Sequence, residues 1–349
     1  MNSPIRITEW RPLRLAVSAV VATTAIAGVA GIAAERANAA ALPLSPSSAG
    51  IVNGLLTING TAASDRIALR VKAGHPGVLQ VDVGDDGSAD FSFRRSAVAA
   101  IAVNAGAAND QVRIDEINGT FTDTIPTTLA GGAGNDTLSG GSGAETLRGG
   151  AGDDTVDGNA GNDLASLGGG DDTFVWDPGD GSDTVAGGLG ADTMRFNGAP
   201  VAEQIALSAN GGHLKLVRDV GGVTMDSVNV ERLDVNAIGG ADVVTVNNLI
   251  GTGVTAVVVD LAGTLGGATG DGAPDRVVVD GTSGIDAFNV NGDAGGVKVS
   301  RLTSTVETLH PEAANDRLDV NTLAGRDSVD SSGLAAGVIQ LFVDGVLRP

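Results

Sequence analysis

The chain has 349 residues, 53 of them glycine, with no cysteine, no tyrosine, three lysines and a formal charge of −21. The lack of cysteine excludes a disulfide scaffold, a thiolate metal site, a cysteine nucleophile and a lipoprotein anchor. The 42 acidic against 21 basic residues oppose a nucleic-acid partner.

At the N-terminus, Arg6, Arg11 and Arg14 precede an uncharged, mostly apolar run over residues 15–34, followed by Ala37-Asn38-Ala39. This pattern reads as a secretory signal over residues 1–39, cleaved after Ala39. A membrane anchor is the competing reading, but Ala and Gly dominate the run and the small-residue site follows directly. The mature chain is therefore expected outside the cytoplasm, extracellular or periplasmic, with no membrane span left after cleavage.

The remainder predicts an all-β chain. Asp supplies 34 of the acidic residues and Glu only 8, and Asp is the short carboxylate of turns and of hard-cation sites. With abundant Gly and alternating Val, Ile, Leu and Thr, the composition gives short strands joined by tight turns. Three sections follow the signal: a β-rich repeat region over 40–130, a dense array over 131–195 and a second β-rich repeat region over 196–349.

In the first section, Leu56-Thr57-Ile58-Asn59 followed by Asp65 recurs as Ile101-Ala102-Val103-Asn104 followed by Asp110. Between them, residues 81–90 carry several Asp around Gly87 but lack the alternating carboxylates and terminal Glu of a calcium loop. A hairpin between residues 78–83 and 91–93 is expected instead.

The array is written in nines: GGAGNDTLS (131–139), GGSGAETLR (140–148), GGAGDDTVD (149–157), GNAGNDLAS (158–166) and LGGGDDTFV (167–175). An eleven-residue variant, WDPGDGSDTVA, precedes a sixth unit, GGLGADTMR (187–195). These units resemble the repeats-in-toxin (RTX), or hemolysin-type, calcium-binding family, with consensus G-G-x-G-x-D-x-U-x, U being a large apolar residue. The resemblance implies a parallel β-roll or β-solenoid. It also implies calcium held between successive turns of one edge by position-6 carboxylates and loop carbonyls.

Elementary geometry accounts for the spacing. Glycines at positions 1, 2 and 4 permit a tight turn whose carbonyls converge, and positions 7 to 9 form a short strand with the U residue (Leu138, Leu147, Val156, Phe174) pointing inward. Each unit reverses the chain once, so two units make one 18-residue coil and alternate turns stack on the same edge. Asp136, Asp154 and Asp172 are then expected on one edge, with Glu145 and Asp163 on the other. Like charges about one strand spacing apart, roughly 4.8 Å, repel, so a column of stacked Asp calls for a divalent cation. By resemblance, two calcium sites fall on the first edge, between Asp136 and Asp154 and between Asp154 and Asp172.

The second edge is expected to hold one weaker site. There Glu145 is a methylene longer than Asp, Asn159 replaces a turn glycine and Ala165 stands where a large apolar residue belongs. Asp183 and Asp192 are placed as caps of the stack, with the two extra residues of the Trp176 unit disturbing its phase.

In the last section, a frame beginning at Arg232 and reaching Asp242 recurs from Arg276 to Asp286 and from Arg317 to Asp327. Asp242 and Asp327 are read as turn formers, with further calcium binding as the alternative. The chain ends shortly after a strand-like run without an evident cap.

No H-E-x-x-H, G-x-S-x-G, G-x-G-x-x-G or P-loop motif is present, and His75, His213 and His310 are far apart in sequence. The reading is a non-enzymatic exported protein that folds around calcium and serves a structural, adhesive or matrix role, its partner a surface or matrix polysaccharide or protein. Threonines at position 7 (Thr137, Thr146, Thr155, Thr173) would stand in ranks suited to adhesion. The alternative is a calcium-stabilised carbohydrate-active β-helix of the lyase or epimerase kind, for which a chain without Tyr and with three Lys offers few catalytic groups.

Overall fold

The position-8 residues of the nonapeptides decide which way each strand faces. Leu138, Leu147, Val156 and Phe174 are fully buried, whereas Thr137 and Thr155, one residue earlier, are exposed. A strand as short as Thr137–Ser139 or Thr155–Asp157 therefore buries a single side chain and leaves its neighbours on the outer face. The computed structural model describes residues 47–301 and 304–348. The signal read over residues 1–39 lies outside them.

The described residues form strands and turns, with two single-turn 3₁₀ segments, Arg95–Ala97 and Val220–Gly222. Strands alternate between a sheet of 15 and a sheet of 14 strands. Within the array every pairing is parallel: Thr146 lies opposite Thr128 and Leu164 in one sheet, and Thr155 opposite Thr137 and Thr173 in the other. An apolar core drawn from both sheets runs from Leu56 to Val343. Among the described residues, no helix is long and apolar enough to cross a membrane.

Both flanks continue the same two sheets. Leu56 faces Ile101 and Asn59 faces Asn104 in parallel register, and Arg276 faces Arg317, so these repeats are true stacking partners. The copy at Arg232 is not. Its strand, Arg232–Asn236, sits in the other sheet, opposite the strands Thr193–Asn197 and Ala256–Asp260. The reason is the number of chain reversals: three separate Arg232–Asn236 from Arg276–Asp280, and an odd number moves a strand to the opposite sheet.

Three antiparallel meanders interrupt the coil. They comprise Arg66–Lys72, His75–Val83 and Phe91–Arg94; Gln204–Asn210, His213–Arg218 and Val223–Val228; and Ala287–Asp293, Gly296–Ser300 and Thr305–Leu309. The first contains the expected hairpin, with Val81 opposite Phe91. Near the C-terminus, where the sequence shows no cap, Val346–Leu347 folds back antiparallel on Gln340–Val343 and covers its open side.

Candidate metal centre

On the first edge the turns repeat with little variation. The position-2 glycines Gly132, Gly150, Gly168 and Gly188 have φ of 120°, 130°, 123° and 125°, a region that side chains rarely adopt. A Cβ on Gly150 would lie 2.0 Å from the carbonyl oxygen of Gly132, and one on Gly152 would lie 2.4 Å from that of Gly134. Glycine is thus demanded twice over, and the space a side chain would fill is faced by carbonyl oxygens of the preceding coil.

Position 6 stitches the coils together. The N–H of Asp136 donates to Asp154 Oδ1 (2.8 Å), that of Asp154 to Asp172 Oδ1 (2.7 Å) and that of Asp172 to Asp192 Oδ1 (3.0 Å). The second oxygen, Oδ2, of Asp136, Asp154, Asp172 and Asp192 is buried and has no hydrogen-bond partner. A parallel outer ladder runs at position 5, where Asp153 N–H donates to Asn135 Oδ1 (3.0 Å) and Asp171 N–H to Asp153 Oδ1 (2.9 Å). The nine-residue glycine and Asp pattern alone does not reveal this outer ladder; its signal is Asn or Asp at position 5, as at Asn135, Asp153 and Asp171.

The second edge carries Glu145, Asp163 and Asp183 in one column, by bonds of 2.7 Å from Glu145 N–H to Asp163 Oδ1 and 2.8 Å from Asp163 N–H to Asp183 Oδ1. Glu145 Oε1 and Asp163 Oδ2 are buried without partners. Asn159 adopts φ 57° in place of the missing glycine, and its amide donates to Ser139 Oγ (2.8 Å) and to the Gly140 carbonyl (3.1 Å). One carbonyl of this edge is therefore already engaged. The extra residues of the Trp176 unit are absorbed in the turn, where Asp177 N–H donates to Asp180 Oδ2 (2.6 Å). Register survives them, with Thr184 opposite Leu164, so Asp183 and Asp192 continue their columns rather than breaking phase.

The first column also extends further than the nonapeptide motif. Asp110 N–H donates to Asp136 Oδ1 (2.8 Å), Asp65 N–H donates to Asp110 Oδ1 (2.7 Å), and Asp110 Oδ2 is another buried oxygen without a partner. The glycine pattern hides this turn because position 4 is Ala108, held at φ 69°. The surviving signal is Asn109-Asp110 ahead of an alternating strand, as in Asn135-Asp136.

Burial is the main cause of the charge state in both columns. It pushes Asp154 up to about 7, with repulsion from Asp136 and Asp172 adding to it and the Asp136 N–H opposing it. Burial likewise raises Asp163 to about 8, Glu145 to about 7 and both Asp183 and Asp192 to about 6, and it raises Asp136 and Asp172. Among the described residues, no three His, Asp or Glu side chains converge as a ready ligand set. The available donors are carboxylate oxygens and backbone carbonyls, the hard oxygens that calcium takes. His213 and His310 stand apart from the columns, paired with Asp226 and Asp260 at 2.6 Å each.

The family model of the RTX calcium-binding nonapeptide repeat matches residues 127–155, 139–174 and 179–195. This block is an RTX calcium-binding array. RTX repeats bind calcium, and the partnerless buried oxygens of both columns are the observation in this structure that fits it. No curated protein matches the chain.

Proposed function

We propose that the chain is an exported calcium-binding β-roll protein that completes its folding outside the cell, where it serves a structural, adhesive or matrix role. The observation that carries this reading is the repeated one: in successive turns of the RTX block, a position-6 carboxylate gives one oxygen to the neighbouring coil and leaves the other buried without a partner. On the first edge, Asp136, Asp154, Asp172 and Asp192 would hold the ions in pairs together with turn carbonyls. On the second, Glu145, Asp163 and Asp183 would hold fewer. Bound calcium supplies the positive charge that lets buried carboxylates ionise together.

Export is supported by the signal pattern over residues 1–39. Extracellular millimolar calcium suits sites with a dissociation constant of about 10⁻⁴ to 10⁻³ M, the range of extracellular modules. An adhesive face is supported by Thr137, Thr155, Thr173 and Thr193, which stand in register along one sheet. Circular dichroism of the mature chain in EDTA, then in millimolar calcium, tests the folding claim: β signal is expected to grow with calcium. An unchanged spectrum, together with no heat of binding in calorimetry, would sink it.

A further inference from the structure

The ladder of the second edge resumes beyond the RTX block. Glu203 N–H donates to Asp242 Oδ1 (2.8 Å), Asp242 N–H to Asp275 Oδ1 (2.9 Å) and Asp275 N–H to Asp316 Oδ1 (3.1 Å). All four acids are buried. Their glycine spacing departs from the nonapeptide consensus, and the RTX match stops at residue 195.

Within this column the charges are neutralised unequally. The Glu203 carboxylate is met by the buried guanidinium of Arg218, whose Nε donates to Glu203 Oε1 at 2.7 Å. Arg218 therefore supplies a built-in cation at the layer where the meander 204–228 enters the sheet. Asp242 has no such ion pair. It is 1% exposed, and its Oδ2 is buried without a hydrogen-bond partner.

A second carboxylate has been brought to the same turn. In the first-edge RTX turns, the position-4 N–H donates to a neutral carbonyl, as from Gly134 to Ala151 (2.7 Å) and from Gly152 to Gly169 (2.8 Å). Gly240, the glycine two residues before Asp242, holds φ 118° but donates to Asp271 Oδ2 at 2.6 Å. Asp271 is exposed and belongs to the glycine-rich stretch 262–274. A carboxylate, whose Oδ1 also accepts from the Ala273 N–H (2.7 Å), thus stands where those first-edge turns have a carbonyl and the second-edge Gly143 N–H has the Thr122 hydroxyl. It meets the chain two residues ahead of Asp242 with its partnerless buried oxygen. Burial also raises Asp242 to about 7, with repulsion from Glu203 and then Asp271 adding to it and the Glu203 N–H and Arg218 opposing it. It raises Asp275 to about 7 as well, with repulsion from Asp316, Asp242 and Asp271 adding to it.

We propose that Asp242 and Asp271 form a divalent-cation site outside the RTX block, at the turn 236–242, completed by backbone carbonyls and water. Donors that are all oxygen, one carboxylate buried and the other open to solvent, select a hard ion with a flexible shell, namely calcium. Calcium there would do for Asp242 what Arg218 does for Glu203.

The test uses the full mature chain and calcium alone. Bound ions are counted by equilibrium dialysis, and amide exchange is followed over residues 236–242 and 271–275. Asp271→Asn is expected to lose roughly one bound ion per chain and to abolish calcium-dependent protection at 236–242, while the circular dichroism in calcium stays that of the parent. A second variant, Asp136→Asn with Asp154→Asn and Asp172→Asn, weakens the first-edge sites of the block and is expected to keep that protection. If Asp271→Asn binds as many ions as the parent, or if residues 236–242 exchange at one rate with and without calcium, the proposal is overturned. It is equally overturned if the protection disappears in the triple variant while 236–242 remains folded, because the effect would then be transmitted from the block.

Discussion

Asp154 sits mid-column on the first edge, its Oδ1 accepting from the Asp136 N–H and its own N–H donating to Asp172. It therefore borders two candidate sites, whereas Glu145 borders one, on the edge where Asn159 already occupies a carbonyl. Asp154→Ala is expected to weaken calcium binding by about tenfold or more, ~1.4 kcal/mol, and Glu145→Ala by less. Glu145→Asp should tighten binding by restoring the short carboxylate. Titration calorimetry on the three variants reads this directly, and equal losses in the two alanine variants would mean that the edges are equivalent. A backbone counterpart is Gly150→Ala. Its φ of 130° costs about 1–3 kcal/mol for a side chain, and the new Cβ would press on the Gly132 carbonyl. A marked fall in melting temperature in saturating calcium is expected, and a melt unchanged from the parent would show that the turns stack with more slack than described.

At the scale of one element, the strand Thr173–Trp176 links the column to the core. Trp176 is fully buried and stacks on Phe196, with centroids 4.1 Å apart and planes 6° from parallel. Its Nε1 donates to the Gly181 carbonyl at 2.9 Å, and Arg218 lies 5.2 Å over the ring. The indole thus has an apolar site and a partner for its N–H, the condition under which burial is favoured. This strand begins immediately after Asp172, so ordering of that turn by calcium should seat the indole. In the chain lacking residues 1–39, Trp176 is the sole tryptophan and no tyrosine competes with it. Calcium is expected to shift its emission to the blue and reduce iodide quenching, reversibly with EDTA, whereas magnesium dehydrates too reluctantly to do so. Constant emission through a titration in which circular dichroism changes would place Trp176 outside the calcium-dependent unit.

For the whole molecule, the raised carboxylates fix the sign of the pH dependence. Without calcium, Asp154, Glu145, Asp163, Asp183 and Asp192 titrate at about 6 to 8 in the fold, against about 4 in the unfolded chain. The folded state then binds more protons than the unfolded one between those values. Its stability is fully present below the unfolded pKa and is lost as pH rises through the folded ones. In EDTA, melting temperature should fall from pH 5 to pH 8. In millimolar calcium the trend should reverse, because the ion competes with protons for the same oxygens. Thermal melts in the two buffers provide the check, and parallel trends would show that the columns do not govern stability.

Much of this architecture is legible in the residues because it is local. The nine-residue period sets which side chain faces inward, and with an even number of reversals per coil it assigns Asp136, Asp154 and Asp172 to one edge and Glu145 and Asp163 to the other. What stayed hidden depends on contacts distant in sequence. The strand Arg232–Asn236 (RLDVN) repeats the alternating frame of Arg276–Asp280 (RVVVD), yet an odd number of reversals puts the two in different sheets. Asp110 joins the first column although Ala108 breaks the glycine pattern, because Ala108 itself adopts φ 69° and its backbone packs against Gly134, where a Cβ would lie 2.4 Å from the Ala108 carbonyl. Arg218 reads as an ordinary end of a strand until the meander carries it 15 residues back to Glu203. Periodicity dictates the orientation of each turn within its own coil, but the neighbour of a strand and the charge opposite a buried carboxylate are set only when sheets close over one another, since parallel pairing joins residues that no local pattern connects.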